Sequence, residues 1–197
     1  MVVFSFTTGK LGGNWVEWHF RSGYAILALL LFRLFWGVAG SHYARFTNFL
    51  PSSAGAWRAL RSKGAGVTAV SAGHSEIGRL SVYALLVVLL LQVATGLFSN
   101  DGTFNEGPWA RWVTETTSNQ LSALHYYNHW MMVVLVAVHV AAVVFYLVRR
   151  QDLITPMLTG DKFGVAAPAA EDGTAIRLRA LAIAVLASAI VYVLVTL

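Results

Sequence analysis

Residues 124–140, LHYYNHWMMVVLVAVHV, decide the fold. They set two histidines, His125 and His139, fourteen residues apart on one apolar segment. A helix turns once in about 3.6 residues, so that spacing is just under four turns and both imidazoles leave the same face. At about 1.5 Å per residue they stand about 21 Å apart, near opposite sides of a hydrocarbon layer about 30 Å thick. Residues 131–138 between them hold no polar side chain. An ionisable side chain is costly inside a membrane and marks a functional site by default. One such side chain near each leaflet fits two haems stacked across a bilayer, each taking an axial ligand from this helix.

The rest of the chain has the same character. It is 57% hydrophobic and 12% charged, with mean hydropathy +0.62, a balance outside that of soluble domains. Four apolar stretches carry it: residues 24–40, broken by Arg33; 80–98, where Gln92 is the most polar member; 131–148, with His139; and 180–197. With their flanks they predict four membrane-spanning helices, about residues 17–40, 77–98, 124–148 and 179–197, in a single membrane domain. Lipid leaves helices as the open-chain way to satisfy backbone polar groups, so the expected fold is an all-α integral membrane bundle. The chain has no cysteine, which excludes disulfides, iron–sulfur clusters and covalently attached c-type haem. No nucleotide-binding or hydrolase motif is present, and the net charge of +5 is read as a topology signal rather than as a sign of nucleic acid.

Residues 41–79 carry Arg45, Arg58, Arg61, Lys63 and Arg79, and residues 149–179 carry Arg149, Arg150, Lys162, Arg177 and Arg179. Residues 99–124 have Arg111 against Asp101, Glu106 and Glu115. Basic loops stay in the cytoplasm, so the first two segments are expected inside and the third outside, with both chain ends outside. Trp15, Trp18, Trp109, Trp112 and Trp130 then fall at the outer interface, and Trp36 and Trp57 near the inner one. Residues 55–62 read as a short interfacial helix, residues 64–73 as a flexible return, and Pro156, Gly160, Gly164 and Pro168 as breaks in the second inner loop.

Of the six histidines, His19 begins the first span and His125 the third, both near the outer face. Two neutral imidazoles from facing helices at equal depth ligate one haem iron from both sides, a low-spin arrangement suited to electron transfer. His139 is deeper and is expected to ligate a second, inner haem. His42 and His129 are expected to be interfacial, while His74, at the inner edge, is placed to touch a haem propionate. Arg33 lies fourteen residues after His19 on the same helix face and needs an anion, either a propionate of the inner haem or a lipid phosphate. Gly23 and Gly37 flank the same span near its two ends, and Gly78 and Gly96 bracket the next. Missing side chains there either admit flat porphyrins or allow close helix packing.

The segments WHFRSGYAILALLLFRLFWGVAGSHYARF (residues 18–46), AGHSEIG (72–78) and LHYYNHWMMVVLVAVHV (124–140) together resemble the bacterial cytochrome b561 family, which includes the b-type subunits that partner nickel–iron hydrogenases. The resemblance covers about residues 12–160. It implies a four-helix core in the bacterial inner membrane that binds two b haems noncovalently, exchanges electrons with quinone and passes them across the membrane. It carries His19 and His125 over as ligands of the outer haem and His139 as one ligand of the inner haem. The expected partners are membrane lipid, quinone, and a c-type cytochrome or a dehydrogenase or hydrogenase subunit, but no nucleic acid. The protein is then an oxidoreductase in the broad sense of an electron carrier.

Two rival classes remain: a transporter or channel with His139 and Arg33 lining a proton or anion path, and a haem-free anchor subunit. Unbroken spans without paired acidic residues weigh against transport, and a red protein with a reduced b-type spectrum excludes both. The family's core opens with a helix bearing the second inner-haem ligand, and no segment here matches it. Residues 1–8, MVVFSFTT, are too short to span and have no basic start or cleavage site. Followed by GKLGG, they read as the tail of an outward helix entering a tight turn, so a further His-containing span is expected to be encoded upstream, which the coding DNA before Met1 tests. For the inner site, replacing Arg33 by Leu removes a positive charge from a low-dielectric region. We expect R33L to lower the potential or occupancy of an inner haem, and an unchanged redox titration would leave Arg33 as a lipid anchor.

Overall fold

The computed structural model describes residues 1–48, 50, 57, 61, 76–150, 152–155 and 173–197. The described residues form five α-helices: α1 (Val2–Leu11), α2 (Val16–Ala39), α3 (Glu76–Leu97), α4 (Glu115–Val148) and α5 (Thr174–Thr196). Among them there is no strand, only an isolated bridge between Asn100 and Glu106. Four segments are long and apolar enough to cross a membrane: Gly13–Ala39, Ile77–Leu97, Glu115–Val148 and Thr174–Thr196. The fold is all-α with four such spans, as the hydropathy pattern requires. His74, residues 64–73, Pro156, Gly160, Gly164 and Pro168 lie outside the described residues, as do residues 55–62 apart from Trp57 and Arg61.

Helix α4, the third span, is longer than its apolar stretch. It begins at Glu115, nine residues before the expected span. The Thr114 hydroxyl accepts the Thr117 N–H at 3.2 Å, and the polar first turns bond to the loop before them instead of facing lipid. Ser118 Oγ donates to the Phe98 carbonyl at 2.7 Å, and Ser122 Oγ donates to the Asn100 carbonyl at 3.0 Å. Helix α1, ten residues long, is stopped by Gly12 and Gly13, with φ of 65° and 54°. Only glycine takes that left-handed backbone cheaply in succession. The turn read from the GKLGG segment is present, and it returns α2 along α1.

Two compact units make up the chain. The first comprises residues 1–34, 86–134 and 181–197. Its apolar centre is Leu27, Leu97 and Val191, packed by Tyr24, Leu31, Val93, Phe98 and Trp109 from α2, α3, α5 and the loop after α3. Trp109 closes this core: its ring meets Phe98 edge-on at 5.3 Å and its Nε1–H donates to the Leu194 carbonyl at 2.8 Å. The loop holds its own shape, because Asp101 Oδ1 accepts the backbone N–H groups of Thr103, Phe104 and Asn105 at 2.9–3.0 Å. These bonds, the Asn105 side chain first among them, hold the exposed Asp101 carboxyl well below the usual carboxylate range.

The second unit comprises residues 35–85 and 135–180. Phe46 packs over Gly37, where a Cβ would overlap its ring, and meets Tyr83 at 5.8 Å. Gly37 therefore makes its room for a phenylalanine. Arg45 Nε and Arg179 Nη1 donate to the Gly40 and Ala39 carbonyls at 2.8 and 3.2 Å, satisfying acceptors at the end of α2.

Replacing Trp109 by Phe keeps the ring packing and removes one half-buried hydrogen bond. We expect W109F to destabilise the first unit by about 1 kcal/mol, read as a lower midpoint of thermal unfolding in detergent.

Candidate functional site

The first unit holds an open-sided cavity of about 390 Å³, within the range of small-molecule pockets. His19, from the second turn of α2, and His125, from the third turn of α4, both line it. Their ring centroids are 6.1 Å apart with the ring planes at 88°.

Each imidazole is aimed by a backbone carbonyl. His19 Nδ1 lies 2.8 Å from the Ser5 carbonyl oxygen, and His125 Nδ1 lies 2.8 Å from that of Gln92. A carbonyl only accepts, so the shared proton sits on Nδ1 and the lone pair on Nε2 is left for another partner. Fixing a histidine in this way is the usual preparation of a metal ligand.

Two glycines permit the approach. A Cβ on Gly9 would stand 2.7 Å from His19 Nδ1, and one on Gly96 would stand 3.0 Å from His125 Cε1. Around Gly23, by contrast, nothing lies within 4 Å of such an atom, and Gly23 lines the open cavity.

A buried polar pair surrounds His125. Gln92 Nε2 donates to His125 Nε2 at 3.1 Å, while Asn128 Nδ2 donates to Gln92 Oε1 at 2.7 Å and to the Val88 carbonyl at 3.0 Å. Asn128 thus fixes which way the Gln92 amide faces. Ligation of a metal by His125 Nε2 requires that amide to turn aside.

The other expected site residues are placed elsewhere. His139 belongs to the second unit, half-buried, with Ser81 Oγ at 3.5 Å from its Nδ1. Arg33 is half-buried on α2, and neither it nor Gly37 lines the cavity. His42 is exposed on a 3₁₀ turn, with Asn48 Nδ2 at 3.3 Å. His129, expected at the interface, is 8% exposed and lines the cavity.

Sequence reasoning passed over Ser5, Gly9, Lys10, Gln92 and Asn128 as site residues. Gln92 and Asn128 were detectable as amides inside apolar spans, where polar groups are expensive. Ser5 acts through its carbonyl, which its residue type does not advertise.

Residues 1–160 match the family described as prokaryotic cytochrome b561, and the chain belongs to that family. Among curated proteins it is 28% identical over 154 residues to a probable Ni/Fe-hydrogenase B-type cytochrome subunit of Azotobacter chroococcum mcd 1, covering 70% of this chain and 61% of that one. It is 29% identical over 157 residues to the protein of the same description from Azotobacter vinelandii, covering 72% and 65%. The Cupriavidus necator counterpart is 26% identical over 157 residues, covering 72% and 64%. The chain thus spans under two thirds of the length of these relatives. No solved structure matches it.

The family implies haem b, and the first unit can be tested for it. Two metal–imidazole bonds of about 2 Å set the ligating nitrogens about 4 Å apart and the ring centroids about 6 Å apart. The observed 6.1 Å agrees with that spacing. The carbonyl partners leave Nε2 as the coordinating atom on both rings, on His125 with the Gln92 amide turned aside, and the open space at Gly23 adjoins them. The residues present fit the group.

A methyl at Gly9 must displace His19 from the Ser5 carbonyl. We expect G9A to weaken haem retention about tenfold, the usual cost of disturbing a ligand's outer partner, while far-ultraviolet circular dichroism keeps its helical signal.

Proposed function

We propose that this chain is a membrane b-type cytochrome that passes electrons between a lipid-soluble quinone and a redox partner, with His19 and His125 as the axial ligands of a haem b. The observation that carries this reading is the pair of carbonyl-anchored imidazoles 6.1 Å apart on the wall of one cavity.

When bound, haem b would supply reversible one-electron exchange, and His19 and His125 would hold its iron. The chain's own contribution is positioning. The Ser5 and Gln92 carbonyls hold the two Nδ1 protons, so neither ring can rotate its Nε2 out of line. Leu27, Leu97 and Val191, fully within the apolar core beside the cavity, keep the surroundings of low dielectric, where fixed charges and ligand dipoles act most strongly. A second haem in this reading takes one ligand from His139.

The relatives' descriptions support a hydrogenase or other dehydrogenase as partner, and a c-type cytochrome fits the same outer site. The four apolar spans and the loop charges support a multi-pass protein of the bacterial inner membrane, with residues 99–124 outside.

If His19 and His125 serve one iron, removing either removes the same haem. We expect H19A, H125A and the double variant to lose equal amounts of haem by pyridine haemochrome titration. Additive losses would mean that the two histidines serve different haems.

A further inference from the structure

The two carbonyls that aim the imidazoles belong to two copies of one short pattern. Residues 5–9 read SFTTG and residues 92–96 read QVATG. In each, the first residue offers its carbonyl to a histidine Nδ1–H at 2.8 Å, Ser5 to His19 and Gln92 to His125. The fourth residue is a threonine, and the fifth is the glycine against which the ring lies. Helices α1 and α3 thus seat the two rings in the same register.

The threonines share more than their offset. Thr8 and Thr95 are 2% and 3% exposed. The Thr8 hydroxyl stands 2.9 Å from the Phe4 carbonyl oxygen and 3.0 Å from that of Ser5. The Thr95 hydroxyl stands 2.7 Å from the Leu91 carbonyl oxygen and 3.1 Å from that of Gln92. Each hydroxyl hydrogen is therefore shared between two carbonyls, and one of the two is the imidazole's own acceptor. Back-bonding of this kind is ordinary for a buried threonine. What is specific is the placement, three residues after the ligand's acceptor on both sides.

The consequence is electronic. A carbonyl oxygen has two lone pairs. At Ser5 and at Gln92 three donors draw on them: the N–H one helical turn on, the imidazole N–H and the threonine hydroxyl. Each donor weakens the hold on the others. A strongly accepted imidazole N–H makes the ring a more basic ligand, which favours the more oxidised state of a metal. A hydroxyl competing for the same oxygen moderates that push. Ser5 Oγ and Thr95 Oγ1 also stand 3.4 and 3.3 Å from the two Nδ1 atoms, well beyond the carbonyls.

We propose that Thr8 and Thr95 are positioning residues that set the donor strength of the His19 and His125 imidazoles, and through it the reduction potential of the haem held between them. This deepens the electron-transfer reading and rests on its assignment of the two ligands. Each threonine acts at one remove, through the carbonyl of Ser5 or Gln92.

The test is a spectroelectrochemical redox titration of the full chain in detergent, following the b-type component that H19A lacks. T8V and T95V keep the side-chain volume and remove the hydroxyl. Each should favour the ferric form about threefold, as loss of a weak competing hydrogen bond does. That is a potential lower by about 30 mV, at about 59 mV per tenfold for one electron. The double valine variant should shift by about the sum, because the two threonines act on different imidazoles. T8S and T95S keep the hydroxyl and should stay at the native potential. An unchanged or raised potential in either valine variant overturns the proposal; a rise in T95V would make Thr95 a second acceptor for His125. A serine variant that shifts as far as its valine counterpart also overturns it, because packing and not the hydroxyl is then responsible. So does loss of the haem from valine and serine variants alike, which would make the threonines purely structural. A native chain without a reduced b-type spectrum removes the electron-transfer reading and this one together, whereas a native spectrum with unmoved valine variants overturns this proposal alone.

Discussion

Two hydrogen bonds from imidazole Nδ1–H to backbone carbonyls, one at Ser5 and one at Gln92, organise the first unit. Both acceptors belong to helices, and both bonds require the backbone to lie hard against a ring. Glycine at positions 9 and 96 supplies that closeness. Helix α1 serves in this arrangement as a platform of carbonyl acceptors: Gly12 and Gly13 turn the chain back until the Ser5 carbonyl meets His19. The buried Thr8 hydroxyl bonds within α1, to the Phe4 and Ser5 carbonyls, so the surface it turns inward carries no unmet donor.

Polar groups inside an apolar helix pack must be fully connected or they destabilise it. Around His125 the connection is complete: Val88 carbonyl, Asn128 amide, Gln92 amide and the imidazole form one chain. Around His129 it is not. The difference separates a histidine whose aim is already set from one that still needs a partner, although the two lie four residues apart on one helix face.

The spans were legible because hydropathy over twenty residues is a strong signal, and the His19–His125 pairing because depth follows from helix rise. Other parts were not. The sequence marks His129 as an aromatic-flanked residue near a helix end, yet Phe6 reaches across from α1 and buries it. That contact depends on the turn at Gly12, a long-range consequence no local pattern encodes. Gly37 and Gly23 look alike in sequence, but Phe46 fills the space over one and the cavity opens at the other. Position in the packing, not residue type, divides them.

Helix α4 changes character along its length. Its buried residues, Ser118, Asn128, His129 and Met132, all fall in its first eighteen positions. Beyond them Val134, Val138, Val144 and Val148 are 50–76% exposed. In water such a face would be a liability; against lipid tails it loses nothing, because hydrocarbon is as good a neighbour for valine as another helix is. His139 sits within this lipid-compatible stretch with one hydroxyl near it. An imidazole there is costly without a stronger partner. The cost is the same one that made the pair of histidines informative in the sequence, and at His125 it is offset by a carbonyl, a threonine hydroxyl and an amide. At His139 a single hydroxyl 3.5 Å from Nδ1 offsets far less of it.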